Sequence, residues 1–169
     1  NLHMQFSAIL TSLALVGAVT VSTFTPAYAQ NRDASRADAA ILDMAQSYKS
    51  RDRKRLISLL PQVRGHVLEP WAAYWDLSAR LDEAGPTEIQ EFFSRFSGSY
   101  QEDRLRAELL LHYGRNRDWV AFNREYPLYR MNDDRSVRCY ALLAEHLSSG
   151  VDNTAQVKDA WLGLREADD

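Results

Sequence analysis

Glu102 to Pro127, EDRLRAELLLHYGRNRDWVAFNREYP, reads as two short helices joined by a tight turn. Leu105, Leu109 and Tyr113 recur every four residues, and Trp119, Phe122 and Tyr126 recur at three and four, so each segment carries one apolar stripe. Gly114 stands where a left-handed C-cap is expected, and Asp118 where a side-chain oxygen caps the next helix. A lone pair of helices cannot bury both stripes, so the pattern calls for further pairs stacked on either side. That is the signature of a helical solenoid.

The same periodicity extends along the chain, with no convincing strand alternation. Ile41, Met44, Ala45 and Tyr48 form one stripe, and Leu56, Ile57, Leu59 and Leu60 a second that Pro61 stops. Pro70 suits the first turn of a third helix, with Trp71, Tyr74, Trp75, Ser78 and Leu81 on one side and Gly85-Pro86 ending the segment. Thr87 with Gln90, and Ser99 with Glu102, have the capping-box spacing, the first ahead of Ile89, Phe92, Phe93 and Phe96. Asp134 is placed to cap a helix with Val137, Tyr140, Ala141, Ala144 and Leu147 inward and Gly150 at its end. Asn153 opens a last one carrying Val157, Trp161 and Leu164. The expectation is an all-α fold: an irregular α-superhelix, or solenoid, of about eight short antiparallel helices, without a strict 34-residue repeat.

Residues 1–29 lack Lys, Arg, Asp and Glu, and the apolar run Ala8 to Val21 is too short to span a bilayer. Ala27 and Ala29 give the A-x-A pattern of a secretory signal peptide, so cleavage is expected after Ala29, although the usual basic side chain before the apolar run is missing. Either Met4 is the natural start with residues added before it, or residues upstream are missing. A polar lead-in over residues 30–37 and a superhelical domain over 38–169 follow, the latter expected to be the first part of a longer domain. Export to a periplasm is implied. No membrane anchor is expected after cleavage, because no lipobox cysteine follows the apolar run. The single cysteine, Cys139, cannot form an intramolecular disulfide and lies in an apolar helix, where burial is expected. The net charge of −3 argues against nucleic acid as a partner, since phosphate binding needs a basic face.

An ordered set of motifs resembles one family. Leu68-Glu69-Pro70-Trp71-Ala72-Ala73-Tyr74-Trp75, the helix ending Phe92-Phe93-Ser94-Arg95-Phe96, Asp103-Arg104-Leu105-Arg106, Arg117-Asp118-Trp119 and Arg138-Cys139-Tyr140-Ala141 are similar to the N-terminal superhelical domain of soluble lytic murein transglycosylases of Gram-negative bacteria. The resemblance runs from about residue 38 to 148. It implies a peptidoglycan context, in which a C-terminal lysozyme-like domain cleaves between N-acetylmuramic acid and N-acetylglucosamine and leaves a 1,6-anhydro end. That family's catalytic Glu-Ser and its Gly-Leu-Met-Gln are absent from these 169 residues, so this chain is expected to be inactive by itself.

The survey of chemistry agrees. The acidic residues fall mostly at helix starts and on polar faces, without the paired carboxylates a glycosidase needs. His66, His112 and His146 form no metal-ligand spacing, the seven glycines occur singly, and no G-x-S-x-G is present. No catalytic residue, cofactor or metal site is assigned. Two features are candidates for binding a glycan or a periplasmic protein. Trp71, Tyr74 and Trp75 have ring faces suited to the C–H faces of sugars, although at helical spacing such residues more often build a core. Arg104, Arg106 and Arg117, with Arg115 and the Arg51, Arg53, Lys54 and Arg55 group, suit anionic stems or an acidic partner, against the plainer reading of a solvated face with ion pairs such as Glu102 to Arg106.

Overall fold

The computed structural model describes residues 27–162. Over that span the chain is all-α, with eight helices and no strand among the described residues: α1 Ala27–Lys49, α2 Arg53–Leu59, α3 Glu69–Ala79, α4 Pro86–Arg95, α5 Tyr100–Asn116, α6 Trp119–Glu125, α7 Arg135–Ser149 and α8 Thr154–Leu162. Short 3-10 turns, Leu60–Val63 and Tyr126–Leu128, extend α2 and α6, each with a proline at its second position. The expected signal sequence before Ala27, and Leu164, lie outside the described residues. The polar residues 30–37 lie within the helical span of α1.

The helices form four hairpins, α1–α2, α3–α4, α5–α6 and α7–α8, of unequal helix length, with one regular interval running through the first three. The second helices of the first three hairpins begin at Arg53, Pro86 and Trp119, each 33 residues after the last. Their buried anchors Leu56, Ile89 and Phe122 keep that interval. On the first helices, Ile41, Tyr74 and Ala107 are buried in register with it, as are Met44, Leu77 and Leu110. Chemically unlike residues fill equivalent places, so the repeat lies in burial and not in identity. The first helices pack in sequence, α1 on α3, α3 on α5 and α5 on α7, and α4 joins them through Ile89, Phe92 and Phe93, which share an apolar cluster with Tyr74, Leu77 and Leu105. Three successive apolar clusters result: around Met44, Leu56 and Val63; around Tyr74, Phe92, Phe93 and Leu105; and around Leu110, Phe122 and Val137.

The caps recur too. Asp52 and Asp118 each accept a hydrogen bond from a backbone N–H three residues on, Arg55 and Ala121, both at 3.0 Å. The residue before each aspartate, Arg51 or Arg117, is left-handed, at φ 59° and 57°. Asp134 caps α7 in the same way through the Val137 N–H, at 3.0 Å. Ser99 caps α5 through the Glu102 N–H at 3.1 Å, while the Glu102 carboxylate reaches back to the N–H of Gly98 at 2.7 Å. Gly65 and Glu69 repeat that last bond 33 residues earlier, also at 2.7 Å.

Four local expectations are corrected. Gly114 is no C-cap: it lies inside α5, buried, and Arg117 takes the left-handed position. Gly85-Pro86 opens α4 instead of ending α3, because proline's fixed φ and missing N–H suit a first turn, and Thr87 falls within that turn. Cys139 is exposed, since it sits on the side of α7 opposite the inward line of Val137, Tyr140, Ala141 and Ala144. Leu147 is 58% exposed and Leu143 43%, although their equivalents one repeat back, Gly114 and Leu110, are buried under α7; among the described residues no further hairpin covers the α7 pair.

A left-handed arginine costs more than a glycine there, because its Cβ crowds the backbone. Arg117→Gly is therefore expected to raise stability by about 0.5–1 kcal/mol, seen as a higher denaturant midpoint at unchanged slope, with the entropy of the freer unfolded chain limiting the gain.

Candidate functional site

The first helices bring together the aromatic side chains that the sequence singled out and two that it did not. Tyr48 of α1 stacks against Trp75 of α3, with centroids 6.3 Å apart and planes at 26°. Trp75 lies 6.0 Å from Trp71 at 31°, and Trp71 lies 5.7 Å from Tyr100 at the start of α5. The four rings make a ribbon across three hairpins. Trp71, Trp75 and Tyr48 are half-buried and Tyr100 is 52% exposed. Tyr74 behaves differently: it is buried beneath the ribbon, edge-on to Trp71, and its hydroxyl donates to Glu108 of α5. Its expected role as a surface contact is thus replaced by one of support.

The polar side of the ribbon is equally ordered. Ser78 also donates to Glu108, and the Tyr48 hydroxyl lies 3.2 Å from the Ser78 oxygen. Arg104 is half-buried on α5, within electrostatic range of Tyr74, Tyr100 and Glu108. Ser78 and Glu108 line a recess of about 410 Å³, whose walls include Arg53, Asp82, His112 and Arg115. A larger opening, about 1090 Å³, separates α6, α7 and α8 where Arg138 and Ala155 stand in place of the buried Leu105 and Phe122 one repeat earlier. It is lined by Tyr126, Arg135, Arg138, Glu145, Gln156 and Asp159, and none of the ribbon residues borders it.

The expected arginine contacts divide. Arg104 belongs to the site. Arg106 does not: it is 5% exposed, pairs with Glu102 at 2.7 Å and with Glu125 of α6, and lies 4.1 Å over the Phe93 ring of α4. Arg117 is exposed at the far end of α5, about 25 Å from Tyr100 at roughly 1.5 Å rise per residue. Arg53 pairs with Asp82 and Glu83, and Arg55 with Asp43, so the solvated ion-pair reading holds for those two. Other motif residues hold the fold together: Asp103 accepts the backbone N–H groups of Arg130 and Met131 at 3.0 and 2.7 Å, and Glu69 pairs with Arg95. Tyr48 and Tyr100 were missed because ring proximity across 52 residues needs the hairpin stacking, which their own spacing does not encode. Among the described residues no helix is long and apolar enough to cross a membrane, and no group of three or more His, Cys, Asp or Glu side chains is placed to hold a metal.

Burial, then the Glu108 carboxylate, holds the Tyr74 phenol proton well above its ordinary range. Tyr129 is pushed up to about 12, by burial first and by its hydrogen bond to Asp133. Both folded values exceed the ordinary 10.0. The stability these groups add is therefore complete below pH 10 and is lost as pH rises through their folded values. An alkaline titration followed by phenolate absorbance is expected to show the Tyr74 and Tyr129 phenols ionising late, delayed until the fold opens. Tyr129→Phe should remove one delayed step, and a single uniform transition near pH 10 in the native protein would contradict the assignment.

No protein-family model matches the chain, and no curated protein and no solved structure is measurably similar to it.

Proposed function

We propose that this chain is a non-catalytic helical scaffold module of a periplasmic lytic transglycosylase, shaping the approach of peptidoglycan strands to a catalytic domain outside these residues. The observation that carries the reading is where the family-like motifs fall. Glu69 pairs with Arg95 of α4, Arg106 with Glu125 of α6, and Asp103 holds the backbone of Arg130 and Met131 ahead of α7, while Asp118 caps the start of α6. Such residues specify a shape. Trp71, Trp75 and Arg104 of the same motifs lie together on the first helices, which gives that shape a face for a partner.

Co-sedimentation with purified murein sacculi, together with an assay for 1,6-anhydro products, tests the proposal. The chain is expected to pellet with sacculi and to release no anhydro-muropeptides. Failure to pellet counts against the murein context, and product release counts against the scaffold role.

A second reading, a stand-alone periplasmic helical-repeat adaptor for a protein partner, is favoured by one feature: the exposed Leu143 and Leu147 at positions buried in earlier hairpins. Intact mass of the native species in a periplasmic extract separates the two. A species close to residues 30–169 supports the adaptor, and one several times larger supports the scaffold.

A further inference from the structure

We infer that the recess between α2 and α4, with Asp76 of α3 at its floor, binds a free α-amino acid that carries an apolar side chain, whose ammonium donates to Asp76 Oδ1 and whose carboxylate meets Arg64. The inference is independent of the scaffold reading and uses none of the rings of the ribbon.

Glu69, Ala73 and Asp76 fall on one line of α3, at spacings of four and three, and with Arg80 at the helix end they line a recess of about 340 Å³. That is the lower end of the range for small-molecule sites, about 300–1,000 Å³. A smaller recess of about 190 Å³, towards α4, shares Asp76 and Arg80 with it. Asp76 is 2% exposed, and its two oxygens differ. Oδ2 accepts from Arg80 Nε at 3.1 Å and from Arg80 Nη2 at 2.6 Å, whereas Oδ1 has no hydrogen-bond partner. A buried carboxylate oxygen without a donor is costly, and a charged N–H donor is the strongest that can meet it. Packing does not ask for a carboxylate at this place: the equivalent residue one repeat on, Leu109, is buried and apolar.

The other charges of the recess leave one cation over. Arg80 is held by Asp76 and by Glu88, and Arg95 by Glu69. The second Glu69 oxygen accepts the Gly65 N–H. Arg64 is exposed, and among the described residues its side chain makes no hydrogen bond or ion pair. Its equivalent two repeats on, Arg130, is bound by Glu102 and Asp103, whose places in the first hairpin are taken by Arg36 and Ala37. The recess thus lacks a donor at its floor and an anion at its rim, and a zwitterion supplies both without adding net charge. Ile57, Leu60 and Pro61 give it an apolar wall, and Ile57 is 52% exposed, so a branched alkyl side chain gains by covering it.

Simpler ligands answer only half of this chemistry. A divalent cation needs several oxygen ligands at once, and the carboxylates of Glu69 and Glu88 are already engaged by arginines. A lone amine satisfies Asp76 and leaves Arg64 without a counter-charge. An inorganic anion meets Arg64 and leaves Asp76 Oδ1 unpaired, with the repulsion of a second negative group added.

The test uses amide NMR spectra of the isotope-labelled chain and three probes of one shape: leucine, isopentylamine, which lacks the carboxylate, and isocaproate, which lacks the ammonium. Leucine is expected to shift the backbone signals of Gly65, Ala73 and Asp76 saturably, with isopentylamine and isocaproate each weaker by about tenfold or more. Arg64→Ala, at a side chain the fold does not use, should weaken leucine by about tenfold and leave isopentylamine unchanged. Asp76→Asn should weaken leucine and isopentylamine alike, and if it fails to fold, Arg64→Ala carries the test. No saturable shift with millimolar leucine, the result expected if water alone serves Oδ1, overturns the site. Equal binding of leucine and isopentylamine overturns it too, as does an Arg64→Ala chain that binds leucine like the parent, while the sacculus experiment judges the scaffold reading separately.

Discussion

Arg106→Met is expected to destabilise the fold by about 3–5 kcal/mol. The reason is what the arginine leaves behind. Its guanidinium sits between Glu102, on its own helix four residues earlier, and Glu125 on α6, all three side chains being nearly inaccessible to water. It also covers the Phe93 ring of α4, so one side chain joins three helices of two hairpins. Methionine replaces most of the stem volume and none of the charge. Two carboxylates are then left close together in a medium that solvates neither, with only Arg130 still facing Glu102 from a half-exposed position. The measurement is chemical denaturation of Arg106→Met against the parent chain, and of the triple change Arg106→Met with Glu102→Gln and Glu125→Gln. If the cost comes from stranded charge, the triple variant should recover much of the loss, because neutral amides are far cheaper to bury than carboxylates. A triple variant as unstable as the single one would mean that packing over Phe93, and not charge, sets the cost. A loss under about 1 kcal/mol, the range of solvent-exposed ion pairs, would return Arg106 to the surface role that its sequence pattern suggested.

That misassignment shows what the sequence encodes and what it leaves out. Apolar stripes at three- and four-residue spacing identified the helices, and side-chain caps at Asp118, Asp134 and Ser99 were legible because each needs only a neighbour three residues away. Local spacing makes Arg106 a surface cation, because its burial depends on Glu125, which lies 19 residues on and across a turn. Cys139 was expected inside for a related reason: the helix around it is apolar enough to suggest burial, and the choice of face is made by where α5 and α6 pack. The 33-residue period escaped notice because equivalent buried sites hold Ile41, Tyr74 and Ala107, which share a position and little chemistry. Identity-based reading sees no repeat there, whereas burial shows one at once. For the site, the three aromatics of α3 were visible, but a ribbon is a tertiary object. Tyr48 and Tyr100 join it only when α1 and α5 are laid on either side of α3.

Gly114→Ala is the second large effect, and local propensity alone gives it the wrong sign. In an isolated helix the change gains about 1 kcal/mol, since alanine loses less backbone entropy than glycine and Gly114 has ordinary helical geometry within α5. Here the first atom of any side chain would meet the root of the Tyr140 ring: an ideal Cβ lies 2.5 Å from Tyr140 Cγ and 2.6 and 2.8 Å from its two Cδ atoms. These atoms are next to the α7 backbone, so no rotation of a flexible tip relieves the contact. Either Tyr140 leaves its rotamer and its place beside Trp119, 6.3 Å away, or α7 retreats from α5. Overpacking of this kind costs roughly 1–3 kcal/mol and sometimes more, so a net loss of about 2 kcal/mol is expected, and a larger one for Gly114→Val. The cost is local to one pair, which makes it separable. Gly114→Ala combined with Tyr140→Ala should be less destabilised than the two single changes added together, with a coupling of about 1–3 kcal/mol. Additive losses would place the strain elsewhere, and a stabilised Gly114→Ala would mean that α5 and α7 stand further apart than described. Because α7 approaches α5 most closely at this point, the residue at 114 decides how the fourth hairpin seats on the third.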